Sequence, residues 1–486
     1  MKSLTSSKRP VNITLASVFI LASVLYALLS LVNHYLFKTY TLDLGLYTHA
    51  MYDYAHFRMP DCSMFKTVPH SILSDHFDLY LIILSPLVYV FGTYTLLIVQ
   101  IAAVLLGGWG IYKLIGLYTD DEWIPVLSVA AFFFSFGIIQ ALAFDYHSNV
   151  LAAMLFPWLL YYIKQKRFAL ASLFVLLFVI GKENMSLWLF FVVVALMWDY
   201  RKDKKTLWYL AGYAVFALAY FFIINMLVMP RMGGSGGGFS RYAYLGDNYA
   251  EIAKNLLTNP GEAIRLLYVN NSGLSRFDGV KEEFYYCILA SGLVLTLLKP
   301  NYLIMMIPLI AQKMLAAEGN FWGVSFQYSV EFVPVLIVSS FLVIVKLKKR
   351  LPRLLLACAL LLSVILTTFY TVGVPKAFIL VDQLCVYQGR HYTQNQFDAE
   401  YARQLIKQIP DDASVCASMT FVPHMVFRRE IYDFYAVGDR VDTDYVMILD
   451  KYLEMTRGDH PLFYRRDNYE IVSTDGTIYL FRRIQP

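Results

Sequence analysis

Charge is what this chain has least of. Its 486 residues include 41 lysines and arginines and 36 aspartates and glutamates, so 16% are charged while 58% are hydrophobic. A mean hydropathy of +0.52 is too apolar for a soluble domain of this length, which leaves a polytopic α-helical membrane protein. Cysteine is scarce too. Cys62, Cys287, Cys358, Cys385 and Cys416 show no metal-ligand spacing, and Cys385 and Cys416 alone could share one extramembrane domain. The glycine run 233–238 is followed by no Walker lysine and preceded by no strand, so it reads as a mobile loop and no nucleotide cofactor is expected. No nucleic-acid module is present, and the net charge of +5 sits beside apolar runs, where anionic phospholipid is the expected partner. The first apolar run, 11–32, lacks a small-residue cleavage site after it and reads as an uncleaved signal anchor.

The charges that are there sort onto two faces. Lys8-Arg9, Lys113, Lys164 to Arg167, Arg201 to Lys205, Lys299 and Lys346 to Arg350 can all be placed on one side of a membrane, the cytoplasmic one by the positive-inside rule. The acidic and histidine-bearing span ends then fall on the other side. These are Asp43, Asp75-His76, Asp145 with His147, Lys182-Glu183 and the stretch from Gln327 to Glu331.

Span length and this sorting predict about eleven crossings, at 11–32, 95–116, 125–143, 149–163, 168–181, 185–198, 206–229, 284–298, 302–317, 329–345 and 353–372. The N-terminus is then cytoplasmic and the C-terminal region outside. The apolar stretch 79–91 is too short to cross and suits a re-entrant or interfacial helix. Residues 168–198 read as two short helices meeting at Lys182-Glu183-Asn184, recessed in a wet, protein-lined cavity. A transmembrane domain of residues 1–374 carries outer loops 33–78 and 230–283, and 375–486 forms a small extracytoplasmic α/β domain. In it, 398–409 is helical, 414–418, 430–434 and 445–449 are strands, and 469–473 with 477–482 form a hairpin through Asp475-Gly476.

Ionisable residues recessed in a membrane are costly, which makes function their default reading. Asp43 follows the first span closely and is the candidate base. Asp145 and His147, two apart in a short turn, suit a divalent cation or an acid-oriented imidazole, with Glu183 as a third ligand. Lys182 and His76 suit a phosphate oxygen, and Arg58, Arg231 and Arg241 are outer-face cations that could clamp one. The 37 tyrosines, 35 phenylalanines and 7 tryptophans are mostly explained as interface belts.

These motifs resemble, in order and spacing, the bacterial membrane family designated domain of unknown function 2079. The matching stretches are Leu42-Asp43-Leu44-Gly45-Leu46-Tyr47, Asp75-His76-Phe77 leading to Leu84-Ser85-Pro86-Leu87, Phe144-Asp145-Tyr146-His147, Gly181-Lys182-Glu183-Asn184, Arg241 to Gly246, Phe326 to Ser329 and Ile409 to Val415. That family in turn resembles the GT-C class of glycosyltransferases. The resemblance implies a multi-span enzyme of the bacterial cytoplasmic membrane that moves a sugar from a polyprenyl-phosphate donor to an extracytoplasmic acceptor. In some GT-C members a second acid adjoins the residue matching Asp43, and an aspartate often stands where this chain has Asn184. A lipid transporter or flippase, or a non-catalytic envelope assembly factor, would use the same residues differently.

Overall fold

The computed structural model describes residues 5–65, 70–233, 239–373, 381–437, 440–457, 460–461 and 468–484. Of the glycine run, 234–238 lies outside the described residues. Helices cover most of each of the eleven expected stretches, with 125–143 divided between Trp123–Phe133 and Phe136–Leu142. Among the described residues, however, only four helices are long and apolar enough to cross a membrane: Arg9–Tyr35, Tyr80–Gly116, Lys204–Arg231 and Arg350–Gly373. The pair Trp123–Phe133 and Phe136–Leu142, bent by 46°, makes a fifth if it is one span. Length and composition thus give four or five crossings rather than eleven. The physical reason is visible in Phe168–Ile180 and Phe332–Ile344, each 13 residues, which reach only about 20 Å at ~1.5 Å per residue, against a hydrocarbon core of about 30 Å.

One further departure concerns the stretch 79–91. The stretch expected as a separate short helix runs directly into the second span as Tyr80–Gly116, in short pieces that end where Gly92 takes φ 58°. That left-handed conformation is open to glycine without penalty and lets the chain turn before Thr95–Gly116 begins. The break in 168–198 is present as expected: Phe168–Ile180 stops, Lys182 is extended (φ −165°, ψ 149°), and Glu183–Asp199 starts.

The basic loops meet at one end of the helix bundle. Lys166 pairs with Asp203 at 2.8 Å, Lys299 with Asp199 at 3.5 Å and Arg350 with Asp121 at 2.8 Å, while the Lys164 ammonium sits 4.7 Å from the Tyr118 ring centroid. Helix Ser148–Lys164, 17 residues and about 25 Å long, runs from that end to His147. Glu183–Asp199 likewise joins Asp199 to Lys182. Both helices therefore separate the basic set from the acid and histidine set by their whole length.

The C-terminal region holds seven described strands, β1 (Val415–Ala417), β2 (Ile431–Asp433), β3 (Tyr445–Leu449), β4 (Thr456–Arg457), β5 (His460–Pro461), β6 (Tyr469–Thr474) and β7 (Ile478–Arg483). Five form a sheet in the order β2-β1-β3-β7-β6, parallel across β2-β1-β3 and antiparallel beyond, and β4 pairs with β5. Helix Ala399–Ile406 starts on Asp398, whose carboxylate accepts from the amides of Glu400 and Tyr401. The hairpin turns at Gly476, φ 89°. Strand Tyr445–Leu449 and this hairpin lie where the alternation of the sequence puts them. All five cysteines are free. One apolar cluster runs from Phe37, Leu44 and Tyr47 to Val415 and Met447 in the sheet and Val422 in the loop after β1, so this region shares its core with the segment 33–78.

Candidate functional site

Three chain breaks build the site. The first is Thr41–Gly45, a π-helical turn closed by the Gly45 amide donating to the Tyr40 carbonyl at 3.1 Å. Such wide turns recur at functional sites, and this one presents Asp43. The second is the turn at 144–147, where Asp145 is held at φ 46°, a conformation aspartate tolerates better than most side chains. Gln100, fully buried in the second span, braces this turn from both sides. Its Nε2 donates to the Asp145 carbonyl at 2.8 Å, and its Oε1 accepts from the His147 amide at 2.9 Å. The Asp145 carboxylate accepts from the Tyr40 amide at 3.1 Å, tying the first two breaks together.

Across them, Asp43 Oδ1 lies 3.4 Å from His147 Nε2, with the Asp43 side chain 17% exposed and the His147 side chain 4%. The imidazole stacks on Phe144, ring centroids 5.1 Å apart and planes 21° from parallel, and its Nδ1 has no hydrogen-bond partner among the described residues. Burial pushes the His147 imidazole below its ordinary pKa, and the Asp43 charge only partly opposes this. Burial, helped by that same charge, pushes the Asp145 carboxyl well above its ordinary value.

The third break is Gly181-Lys182. The segment 76–80 is pinned to it by the Leu79 amide donating to the Ile180 carbonyl at 3.0 Å and the Tyr80 hydroxyl to the Leu177 carbonyl at 2.7 Å. A Cβ at Gly181 would fall 2.7 Å from the Tyr80 ring, so only glycine admits this approach. His76 Nδ1 lies 3.1 Å from Glu183 Oε1, and the Phe77 amide donates to Oε2 at 3.0 Å. Asp78, 1% exposed, accepts from the Tyr80 amide at 2.9 Å and the Tyr146 hydroxyl at 3.3 Å. Burial raises its carboxyl to about 7, against the opposing pull of these hydrogen bonds and of the Lys182 charge.

Lys182 stands between these groups. It is half-buried and has no ion pair or side-chain hydrogen bond among the described residues. Its charge nevertheless bears on Asp78, His147, Glu183 and Glu331. Tyr47 is buried where the charges of Asp43, Asp75, Asp78 and Glu183 converge, its ring edge-on to Tyr146. Glu331 accepts from the Asn149 side-chain amide at 2.7 Å.

The structure thus brings Asp43 and His147 into contact, pairs His76 with Glu183, and sets Lys182 among the acids. It does not assemble the expected cation site. Among the described residues no three His, Cys, Asp or Glu side chains are grouped to hold a metal ion. Both Glu183 oxygens receive hydrogen bonds from 76–77, and the Asp145 carboxyl accepts from the Tyr40 amide. The expected arginine clamp is not formed either. Arg58 is held by Asp53 at 2.8 Å and Arg241 by Glu318 at 3.1 Å, while Arg231 is exposed and donates to the Leu227 carbonyl at 3.2 Å. The charges of Arg241 and Asp43 both bear on Tyr328.

Sequence reasoning missed Gln100, Tyr47, Asp78 and Tyr146. Gln100 had a usable signal, an amide alone in an apolar span. Asp78 and Tyr146 adjoin motif residues, but their burial depends on how the breaks pack.

The family model described as "Predicted membrane protein (DUF2079)" matches residues 33–462. No curated protein matches the sequence. Among solved structures, ArnT from Cupriavidus metallidurans bound to undecaprenyl phosphate is similar, with TM-score 0.53 and 10% identity over 98% of each chain. The same protein in its apo state gives TM-score 0.50 and 10% identity over 99% of each. The arabinofuranosyltransferase AftD from mycobacteria, mutant R1389S, gives TM-score 0.45 and 10% identity over 96% of this chain and 41% of AftD. The chain belongs to the DUF2079 membrane protein family, and its fold is like that of ArnT.

Proposed function

We propose that this protein is a membrane glycosyltransferase that moves a sugar from a polyprenyl-phosphate donor to an acceptor on the extracytoplasmic face of the bacterial cytoplasmic membrane. The observation that carries the reading is Asp43, partly solvent-exposed and 3.4 Å from His147, in the same cluster as the uncommitted Lys182. The likeness to an ArnT structure holding undecaprenyl phosphate supports a polyprenyl lipid as donor. The acceptor hydroxyl gives its proton to the Asp43 carboxylate as its oxygen bonds to the anomeric carbon. The bond from that carbon to the phosphate oxygen breaks, and the electron pair leaves on polyprenyl phosphate. The Lys182 ammonium stabilises the charge that grows on the departing phosphate, beside largely buried groups where charge is felt strongly. His147, below its ordinary pKa and therefore mostly neutral near pH 7, orients the Asp43 carboxylate without neutralising it. His76 is occupied with Glu183, a pair that fixes the lysine-bearing break. A single displacement inverts the anomeric centre. The N-terminus is cytoplasmic in this reading, and the basic loops face inward.

The test is transfer of radiolabelled sugar from a defined undecaprenyl-phosphate-linked donor by the purified protein in lipid nanodiscs supplied with envelope acceptors. Label should appear in an acceptor with wild type and not with Asp43→Asn. Donor that crosses proteoliposome membranes unchanged, with no label transferred, would make the protein a lipid transporter instead.

A further inference from the structure

The turn that presents Asp43 is not self-supporting. Thr41–Gly45 is a five-residue π-helical turn entered through Phe37, a non-glycine residue at φ 58°. Backbone of this kind persists only where its surroundings hold it. On the membrane side the hold is the Asp145 carboxyl, which accepts from the Tyr40 amide and also from the Leu44 amide within the turn. On the other side it is the loop 418–424 of the C-terminal region.

That loop grips the turn at three points. The buried Thr41 hydroxyl donates to the Met419 carbonyl at 2.9 Å, and the buried Thr420 hydroxyl donates to the Phe37 carbonyl, bonding the strained residue itself. At Gly45 the approach is so close that a Cβ would lie 3.4 Å from Val422 Cγ1. The loop is in turn fastened to the sheet. The Ser418 amide donates to the Met447 carbonyl of β3 at 2.9 Å, and the Ser418 hydroxyl accepts from the Leu449 amide at 3.2 Å. A rigid path therefore runs from the centre of the C-terminal sheet to the backbone on either side of Asp43.

We infer that the C-terminal domain serves to complete the site, with Thr41 and Thr420 as positioning residues that hold the Asp43 turn. This rests on Asp43 acting as the base, and it assigns the domain a role other than recognising the acceptor. Neither threonine touches substrate. Each acts by fixing where the carboxylate points, and a carboxylate displaced by even an ångström loses much of its effect on the reaction.

The experiment uses the full-length protein in nanodiscs with Thr41→Val, which removes the hydroxyl and keeps the shape, and Thr41→Ser, which restores the hydroxyl. Amide hydrogen exchange over 38–46 is the first readout and needs no substrate. It should speed up at least tenfold in Thr41→Val, return to the wild-type rate in Thr41→Ser, and stay unchanged in helix Thr95–Gly116. With donor and acceptor, Thr41→Val should lower kcat about tenfold at unchanged donor KM, with rescue by Thr41→Ser. Unchanged exchange over 38–46 in Thr41→Val would overturn the proposal. So would loss of kcat that Thr41→Ser fails to rescue. If Thr41→Val does not fold, Val422→Ala relaxes the same turn from the packing side and takes the same two readouts. Wild-type protein that transfers no sugar would overturn the enzymatic reading alone, because the exchange result would still decide whether the domain holds the turn.

Discussion

Replacing Asp78 with asparagine should make the protein more stable at neutral pH and leave it unchanged in acid. The carboxyl is 1% exposed, and burial lifts it from an ordinary 3.8 to about 7. Below pH ~3 it is protonated in both the folded and the unfolded chain and costs nothing. As pH rises from there, the unfolded carboxyl ionises freely while the folded one is held neutral, so stability is lost progressively until the folded group itself ionises near pH 7. A shift of roughly three units, at ~1.4 kcal/mol each, sets the penalty above pH 7 at about 4 kcal/mol. Asparagine keeps the shape and can still accept from the Tyr80 amide while its NH2 donates to the Tyr146 oxygen, and it has no proton to lose. The difference in melting temperature between Asp78→Asn and wild type, measured in one detergent from pH 4.5 to 8.5, should therefore rise to a plateau above pH 7 in favour of the variant. A difference that stays flat across this range, or that favours wild type at pH 8, would refute the reasoning.

Four other expectations follow from the same geometry. Asp43→Asn should cut turnover about 100- to 10,000-fold at near-normal donor binding, read by single-turnover transfer and by donor titration, because loss of a general base acts on the reaction step. Lys182→Gln should weaken both donor binding and turnover, and added salt should lower donor affinity more in wild type than in the variant. Gln100→Leu should destabilise the protein by about 2–4 kcal/mol in chemical denaturation, since it leaves the His147 amide and the Asp145 carbonyl buried without partners. Cysteine placed at 400 should react with an impermeant reagent from outside intact cells and cysteine at 166 should not; the reverse pattern would invert the orientation.

How much of the site was legible in the sequence can be argued residue by residue. Asp43, His76, Asp145, His147, Lys182 and Glu183 stand out in the sequence as candidates, because charged groups beside apolar runs are costly. Their pairing was not legible. Asp145 and His147 are neighbours in sequence, yet the Asp145 carboxylate turns to the Tyr40 amide while His147 faces Asp43. That division cannot be read from spacing, because it depends on Asp145 taking a left-handed backbone conformation with Gln100 bracing it. Arg58 and Arg241 looked available because Asp53 meets Arg58 only once the local turn forms, and Glu318, 77 residues from Arg241, meets it only through tertiary folding.

The sequence alone determined the class of molecule, the face on which ionisable groups collect, the broken helix at Lys182 and most strands of the C-terminal sheet. All of these follow from local quantities: hydropathy, charge beside a span, and periodicity. The tertiary structure decided how many helices have the length to cross, since a helix end is set by what packs against it as much as by its own residues. It also decided which carboxylates are spoken for, and that a loop fastened to the C-terminal sheet bonds the turn carrying Asp43 through Met419, 378 residues downstream of Thr41. Those outcomes depend on contacts between residues far apart in the chain, whose energies no local pattern records.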